Sequence, residues 1–313
     1  MLKRVEISGF RCFRKISAPL APLTVLIGPN DTGKSAFLAA LVKLLGSEGF
    51  EQTDWYRTAP DGKILIHALT DLGTVTNDST QGLGKLPEGE RLQPVWLYRL
   101  PSTGIEMTSQ GYPDSGLPPD IGENGQMLPA LIDFLLRRDW SRLEQLWKEF
   151  SHLVPGVEVV QIGTPNAQLR QIDFVIENGL RIPAAKCSVG VRMLLFFVAL
   201  AFHPNPPATI LVEEPENGVH PKRMREIVGL LRNLTMGKYS GKPSQVILST
   251  HSPYLLDCVD LATDQVLVFK REYDGSRTCQ PADAERLKLF LDEFMLGEIW
   301  YTQGEEGLVA KKP

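Results

Sequence analysis

Residues 28–35, Gly-Pro-Asn-Asp-Thr-Gly-Lys-Ser, constrain this chain more than any other stretch. They fit the spacing GxxxxGK[ST], in which a glycine-rich turn folds around an anion with its N–H groups pointing inward. A continuous apolar run, Leu23-Thr24-Val25-Leu26-Ile27, precedes them, as expected of a strand buried on both faces. An Ala- and Leu-rich helix follows over 36–45 and points its N-terminal dipole at the same anion. Gly28, Pro29, Asn30, Asp31, Thr32, Gly33, Lys34 and Ser35 are therefore candidate nucleotide-binding residues. Lys34 is expected to reach the β- and γ-phosphates, and the Ser35 hydroxyl to bind Mg²⁺.

A second apolar strand, Ile210-Leu211-Val212, ends in two acids, Glu213 and Glu214. Carboxylates at the C-terminal end of a strand suit a metal site beside a phosphate loop. Glu213 is the candidate Mg²⁺ ligand, and Glu214 the candidate group that orients or deprotonates the attacking water. Taken alone, two acids after a strand are more simply a solvated strand end. Lys34 and Glu214 lie 180 residues apart. Compact P-loop kinases and small GTPases place these elements closer together, so a long insertion is expected.

Two weaker signals follow. Ser188-Val189-Gly190 precedes a strongly apolar helix, where free N–H groups, a hydroxyl and room for close approach make an anion site. Taken alone, it reads more simply as an ordinary serine cap. His251, in Ser249-Thr250-His251-Ser252-Pro253, comes just after an apolar strand and can donate to a γ-phosphate. A buried structural histidine is the plainer alternative.

The order of these four signals resembles the ABC-type ATPases. More narrowly it is similar to the branch holding SMC proteins, recombination protein F and the ATPase half of overcoming-lysogenisation-defect (OLD) nucleases. The opening Ile7-Ser8-Gly9-Phe10-Arg11-Cys12-Phe13 and the segment Glu213-Glu214-Pro215-Glu216-Asn217-Gly218-Val219-His220-Pro221 carry the narrower resemblance. It covers about 1–50 and 180–260. It implies an α/β P-loop NTPase fold of ABC type, with a mixed or parallel central sheet flanked by helices and an antiparallel N-terminal β part. It also implies one ATPase domain over 1–313, a strand and helix insertion at 51–155, and a tail at 286–313. The implied activity is ATP hydrolysis with Mg²⁺ in an ATP-dependent homodimer. Arg11 would approach ATP in cis, Ser188 and Gly190 would touch it in trans, and His251 would sense the γ-phosphate. A partner effector or nuclease, in DNA repair or anti-phage defence, belongs to the same expectation. A non-hydrolysing dimerisation scaffold and a transporter ATPase subunit are the alternatives.

The sequence departs from that pattern in places. Glu213 stands where Asp is usual, and Cys187 where Leu is usual. Asp31 adds a negative charge to the phosphate loop, which weakens anion binding unless the side chain points away. The glutamine that marks the Q-loop is open between Gln52, Gln81 and Gln93. Only 62 residues follow His251, short for a nuclease domain, so no nuclease is expected there. Asp257, Asp260 and Asp264 in that stretch read as a solvated loop. No run sustains the heptads of a coiled coil.

Composition narrows the class further. The net charge of −4 disfavours a strongly basic nucleic-acid binder. Local basic clusters at Arg137-Arg138, Arg142 and Lys222-Arg223-Met224-Arg225 leave nucleic acid open as a partner, although each reads more simply as a solvated helix face. The four cysteines, Cys12, Cys187, Cys258 and Cys279, form no CxxC pair and read as reduced thiols. The longest apolar run, 193–202, has ten residues against the ~20 of a membrane span. A cytoplasmic protein is expected.

Overall fold

Every residue of Leu23–Ile27 is buried, which is why this strand carries no polar face and sits in the middle of a sheet. The computed structural model describes residues 1–46, 49–56, 62–83, 94–112, 116–291 and 293–310. By its contacts the chain divides into two compact units, residues 1–97 with 207–214 and 244–313, and residues 98–206 with 215–243. The first of the four crossings between them falls inside the 51–155 segment.

The first unit opens with β1 (Leu2–Phe10), β2 (Phe13–Pro19) and β3 (Leu23–Ile27), followed by α1 (Lys34–Leu45). Next come β4 (Leu65–Thr70), β5 (Gly73–Asp78), β6 (Gly82–Leu83) and β7 (Val95–Arg99), the last running over the unit boundary. An antiparallel sheet has the order β2-β1-β4-β5-β6. The later pieces of the chain add β12 (Thr209–Glu213), β13 (Gln245–Ser249), β14 (Gln265–Arg271) and β15 (Arg277–Pro281). These form the sheet β15-β14-β3-β13-β12-β7, in which β14, β3, β13 and β12 run parallel and β15 returns antiparallel to β14. Short helices α6 (Pro253–Leu256) and α7 (Ala284–Lys288) and the longer α8 (Leu296–Gln303) complete the unit. Its core joins Val5, Ile7, Phe13, Leu26, Phe37, Leu41 and Phe269. Phe37 meets Phe269 edge-on at 5.6 Å, a geometry favoured by the ring quadrupoles.

The second unit holds β8 (Thr108–Gln110), β9 (Val157–Gly163), β10 (Leu169–Ile176) and β11 (Arg181–Pro183), with β10 pairing all three others. Its helices are α2 (Leu128–Arg138), α3 (Trp140–Leu153), α4 (Val189–Ala201) and α5 (Met224–Thr235). From Met193 to Ala201 every residue of α4 is buried, so this helix is apolar on all faces because it is packed on all faces. Phe150 stacks on Phe174 and Tyr98 meets Phe196 edge-on.

The observed elements differ from the expectations in instructive places. The stretch 101–125, rich in Gly, Pro, Ser and Asp, nevertheless contains β8, whose three residues are too few and too polar to show a period. β5, β11 and β15 carry no clear strand period in the sequence, each being short or half exposed. Helix α5 begins at Met224 because Pro221–Arg223 first makes a 3₁₀ turn. The tail holds α8 and a 3₁₀ turn at Glu305–Gly307. Among the described residues no helix is long and apolar enough to cross a membrane.

Candidate active site

The phosphate-loop signature folds as its spacing predicts. β3 ends at Ile27, the loop turns over 28–33, and α1 starts at Lys34. Gly28 has φ 138° and Gly33 φ 105°, values that L side chains rarely adopt. Space is also closed at both. A Cβ on Gly28 would lie 2.2 Å from the Phe269 carbonyl oxygen, and one on Gly33 would lie 2.6 Å from the Phe13 ring. Thr32 Oγ1 donates to the Pro29 carbonyl at 2.8 Å and braces the turn. Lys34 Nζ donates to the carbonyls of Gly28 at 2.7 Å and Pro29 at 2.9 Å, so its ammonium is held beneath the loop, 6% exposed.

This loop forms one wall of a pocket of about 430 Å³ within the first unit. Asn30, Asp31, Thr32, Gly33, Lys34 and Ser35 line it, with Glu214 and His251 from the ends of β12 and β13 and Arg11 from the β1–β2 turn. Cys12, Ala36 and Ser249, which carried no sequence signal of their own, line it too. Gly28, Pro29 and Glu213 do not. Glu213 ends β12 in register with Ser249.

Backbone strain gathers here. Four described non-glycine residues have positive φ, and three of them, Arg11 (47°), Asp31 (61°) and Glu214 (48°), line this pocket. Each such residue costs of order 1–3 kcal/mol and persists where the surroundings over-determine it, which is characteristic of working sites. Glu214 N–H is held by the Ser249 carbonyl at 2.9 Å. Arg11 is fixed by its N–H to the Asp54 carbonyl at 2.7 Å and its Nε to the buried Asp54 carboxylate at 2.9 Å.

His251 Nε2 lies 3.3 Å from Glu214 Oε1. Burial, and then the charge of Lys34, pull the His251 pKa below its usual 6.5 against the opposing pull of Glu214. His251 is therefore neutral at pH 7, able to donate one ring proton while the other nitrogen accepts. Burial pushes the Cys12 thiol up, so it is no thiolate nucleophile.

The donor set fits MgATP. Backbone N–H groups, a lysine and a helix N-terminus suit a polyphosphate. Ser35 lines the pocket and Glu213 stands one residue before Glu214, and both carry the hard oxygen that Mg²⁺ prefers. The added charge at Asp31 does not face bare phosphate, because Arg277 Nη2 pairs with its carboxylate at 2.7 Å.

Other sequence candidates lie elsewhere. Ser188 and Gly190 belong to the second unit, where Ser188 caps α4 by accepting the Val191 N–H at 3.4 Å. A Cβ on Gly190 would meet only the Gly218 carbonyl at 3.6 Å, an ordinary contact, so packing does not require the glycine. Gln52 and Gln81 line no part of the pocket, and Gln93 lies outside the described residues. Asp257, Asp260 and Asp264 accept the backbone N–H groups of Gly297, Ala262 and Asp260, which makes them turn and cap residues. In the basic clusters Arg137 pairs with Asp133, Arg142 with Asp139 and Arg223 with Glu226.

Comparison with known proteins shows the family and the fold. Residues 1–90 match the family described as AAA ATPase domain, and residues 105–257 the one described as AAA domain, putative AbiEii toxin, Type IV TA system. The chain is 48% identical over 382 residues to a protein named OLD nuclease from Thermus scotoductus, covering 100% of this chain and 70% of that protein. It is 30% identical over 197 residues to the uncharacterized protein YbjD of Escherichia coli, covering 56% of this chain and 34% of the relative. It is 35% identical over 92 residues to Endonuclease GajA of Bacillus cereus, covering 28% of this chain and 16% of that protein. The SMC head domain from Thermotoga maritima has a TM-score of 0.52 at 15% identity, covering 90% of this chain and 99% of that one. The Smc head domain from Pyrococcus furiosus, bound to the C-terminal domain of ScpA, gives 0.59 at 11% identity, covering 93% and 98%. At such identities the likeness establishes an SMC-head, ABC-type P-loop fold and nothing about activity. Two AAA matches and a near-half-identical relative matched over most of its length lead to one assignment: the chain belongs to the OLD-like branch of the AAA-family ATPases.

Proposed function

We propose that this chain is an ATP-driven switch that closes with a second copy when ATP binds and reopens when ATP is hydrolysed. The observation that carries the reading is the single pocket in which the phosphate loop, Arg11 and the Glu214–His251 pair meet. The loop N–H groups and the N-terminus of α1 hold the phosphates, and Lys34 neutralises the outer two. Ser35, and Glu213 through water since it does not itself line the pocket, would hold Mg²⁺, which when bound would draw charge from the phosphate oxygens. Glu214 orients a water and accepts its proton as the water oxygen bonds to the γ-phosphorus and the bond to the ADP oxygen breaks. Neutral His251 donates to the charge that gathers on the γ-phosphoryl oxygens. Ser188 and Gly190 serve the nucleotide of the facing copy, a role that an exposed Ser188 and a half-buried Gly190 at the start of α4 permit. The names of two relatives, OLD nuclease and Endonuclease GajA, direct the search for what the switch controls toward an effector that cleaves nucleic acid.

Light scattering of Glu214→Gln with and without MgATP tests this, alongside phosphate release by the unmodified chain. The expected result is an ATP-dependent dimer in the variant and turnover that the variant lacks. A mass that ignores ATP would remove the switch, and turnover that survives Glu214→Gln would remove Glu214 from catalysis. ATP-dependent dimerisation with no turnover in the unmodified chain would favour a non-hydrolysing scaffold. Glu213 and Asp31, the two acids that depart from the family pattern, motivate that alternative, and the pairing of Asp31 to Arg277 weakens the second ground.

A further inference from the structure

Asp31 is the odd residue in the phosphate loop, an acid where the ligand is an anion. Its surroundings are equally unusual. In the β14–β15 hairpin Arg271 stands directly opposite Arg277. Like charges across an antiparallel pair repel. The Asp31 carboxylate meets both, with Oδ2 2.7 Å from Arg277 Nη2 and 3.6 Å from Arg271 Nη1. Arg277 also donates from Nε to the Asp31 backbone carbonyl at 3.0 Å, and from Nη1 to the Gly275 carbonyl. Its side chain is only 13% exposed, whereas that of Asp31 is 73% exposed and lines the pocket. One half-buried guanidinium thus grips the loop tip by side chain and main chain together, at a residue whose backbone sits at φ 61°.

We propose that Arg277 is a positioning residue for nucleotide binding: it clamps the tip of the phosphate loop through Asp31 and cancels the charge that Asp31 would otherwise turn on the phosphates. Arg277 does not itself line the pocket, so it works through Asp31 rather than by touching the ligand. The fork matters as well as the charge, because three N–H donors of one planar group are used at once. Arg271, longer in reach and 61% exposed, offsets the same carboxylate only weakly. The inference rests on the reading of this pocket as the ATP site.

The test is calorimetric titration of MgATP into the full chain and its variants, with thermal melting to confirm folding. Arg277→Ala should raise Kd about tenfold at 0.1 M salt, and the gap to the unmodified chain should narrow by 0.5 M salt as repulsion is screened. In turnover, KM should rise while kcat stays within about twofold, the signature of lost ground-state binding. In an Asp31→Asn background, which keeps the shape and removes the acid, the same Arg277→Ala change should cost less than about threefold. Arg277→Lys, which keeps charge without the fork, should fall between; it also serves if Arg277→Ala does not fold. A Kd for Arg277→Ala within about twofold of the unmodified chain would overturn the proposal. So would an equal loss in both backgrounds, because Arg277 would then act independently of Asp31. Failure of the unmodified chain to bind MgATP would sink the ATP reading itself, and this inference with it.

Discussion

Acid should loosen the second unit through one buried imidazole. His203 is 1% exposed, its Nε2 3.0 Å from the Pro119 carbonyl and its Nδ1 accepting the Asn205 N–H at 3.1 Å. Both nitrogens are satisfied by the neutral ring with its proton on Nε2, and a second proton would turn Nδ1 against the Asn205 N–H. Burial, helped by the charge of Arg142, lowers the pKa from 6.5 to about 4, with the Pro119 carbonyl pulling the other way. Between those two values the unfolded chain binds the proton and the folded chain does not. Stability is therefore complete above pH 6.5, falls as pH drops through this window, and is fully spent below pH 4. At ~1.4 kcal/mol per pKa unit the whole effect is about 3 kcal/mol, of which about 2 kcal/mol is lost between pH 7 and pH 5. The assay is urea denaturation of the unmodified chain and His203→Gln at both pH values. Asp120 and Asp257, whose pKa values burial raises, titrate in both proteins and cancel in the difference. The unmodified chain should lose about 2 kcal/mol more than the variant over this interval. Equal losses would show that His203 takes up its proton as readily in the fold as in the unfolded chain, against the lowering by burial.

Three further outcomes are expected. Gly28→Ala should lower stability by at least ~2 kcal/mol, from backbone strain and a Cβ 2.2 Å from the Phe269 carbonyl, and should abolish MgATP binding; a normal melting temperature would refute the closed geometry. Lys34→Ala should weaken MgATP binding about tenfold to a hundredfold, the range of a charged hydrogen bond, and unchanged calorimetric affinity would remove the loop from the ligand site. Ser188→Arg should block ATP-dependent dimerisation while leaving nucleotide affinity intact; a normal dimer by light scattering would defeat a role for the start of α4 in the facing site.

Much of this site could be read from the chain before any coordinates. The loop at 28–35 declares itself because glycine, lysine and serine must stand at fixed offsets to wrap a phosphate, and β3, β12 and β13 because strands buried on both faces can be apolar throughout. Glu214 and His251 were readable as strand-end residues, and β12 and β13 pair in parallel so that both ends reach one place. Arg277 was not readable. It lies on β15, an unanticipated and half-exposed strand, 246 residues from the acid it pairs with. Only an unmet need was visible, an acid in an anion loop, and a need does not name its partner. The location of strain at Arg11, Asp31 and Glu214 was equally hidden, because positive φ in a residue with a side chain is imposed by surroundings rather than by its own preference.

The strand order has a consequence for how the protein is made. Val25, the middle of β3, pairs with Leu248 on one side and Val266 on the other, partners more than 200 residues downstream. At roughly 5–20 residues per second, synthesis delivers the phosphate loop tens of seconds before the strands that hold it in place. Over that interval Leu23–Ile27, apolar at every position but Thr24, has neither neighbour in its sheet and is an aggregation hazard for the nascent chain. Nucleotide can therefore stabilise this fold only after β14 has been made, and chaperone dependence should be set by the first unit's late closure rather than by the second unit.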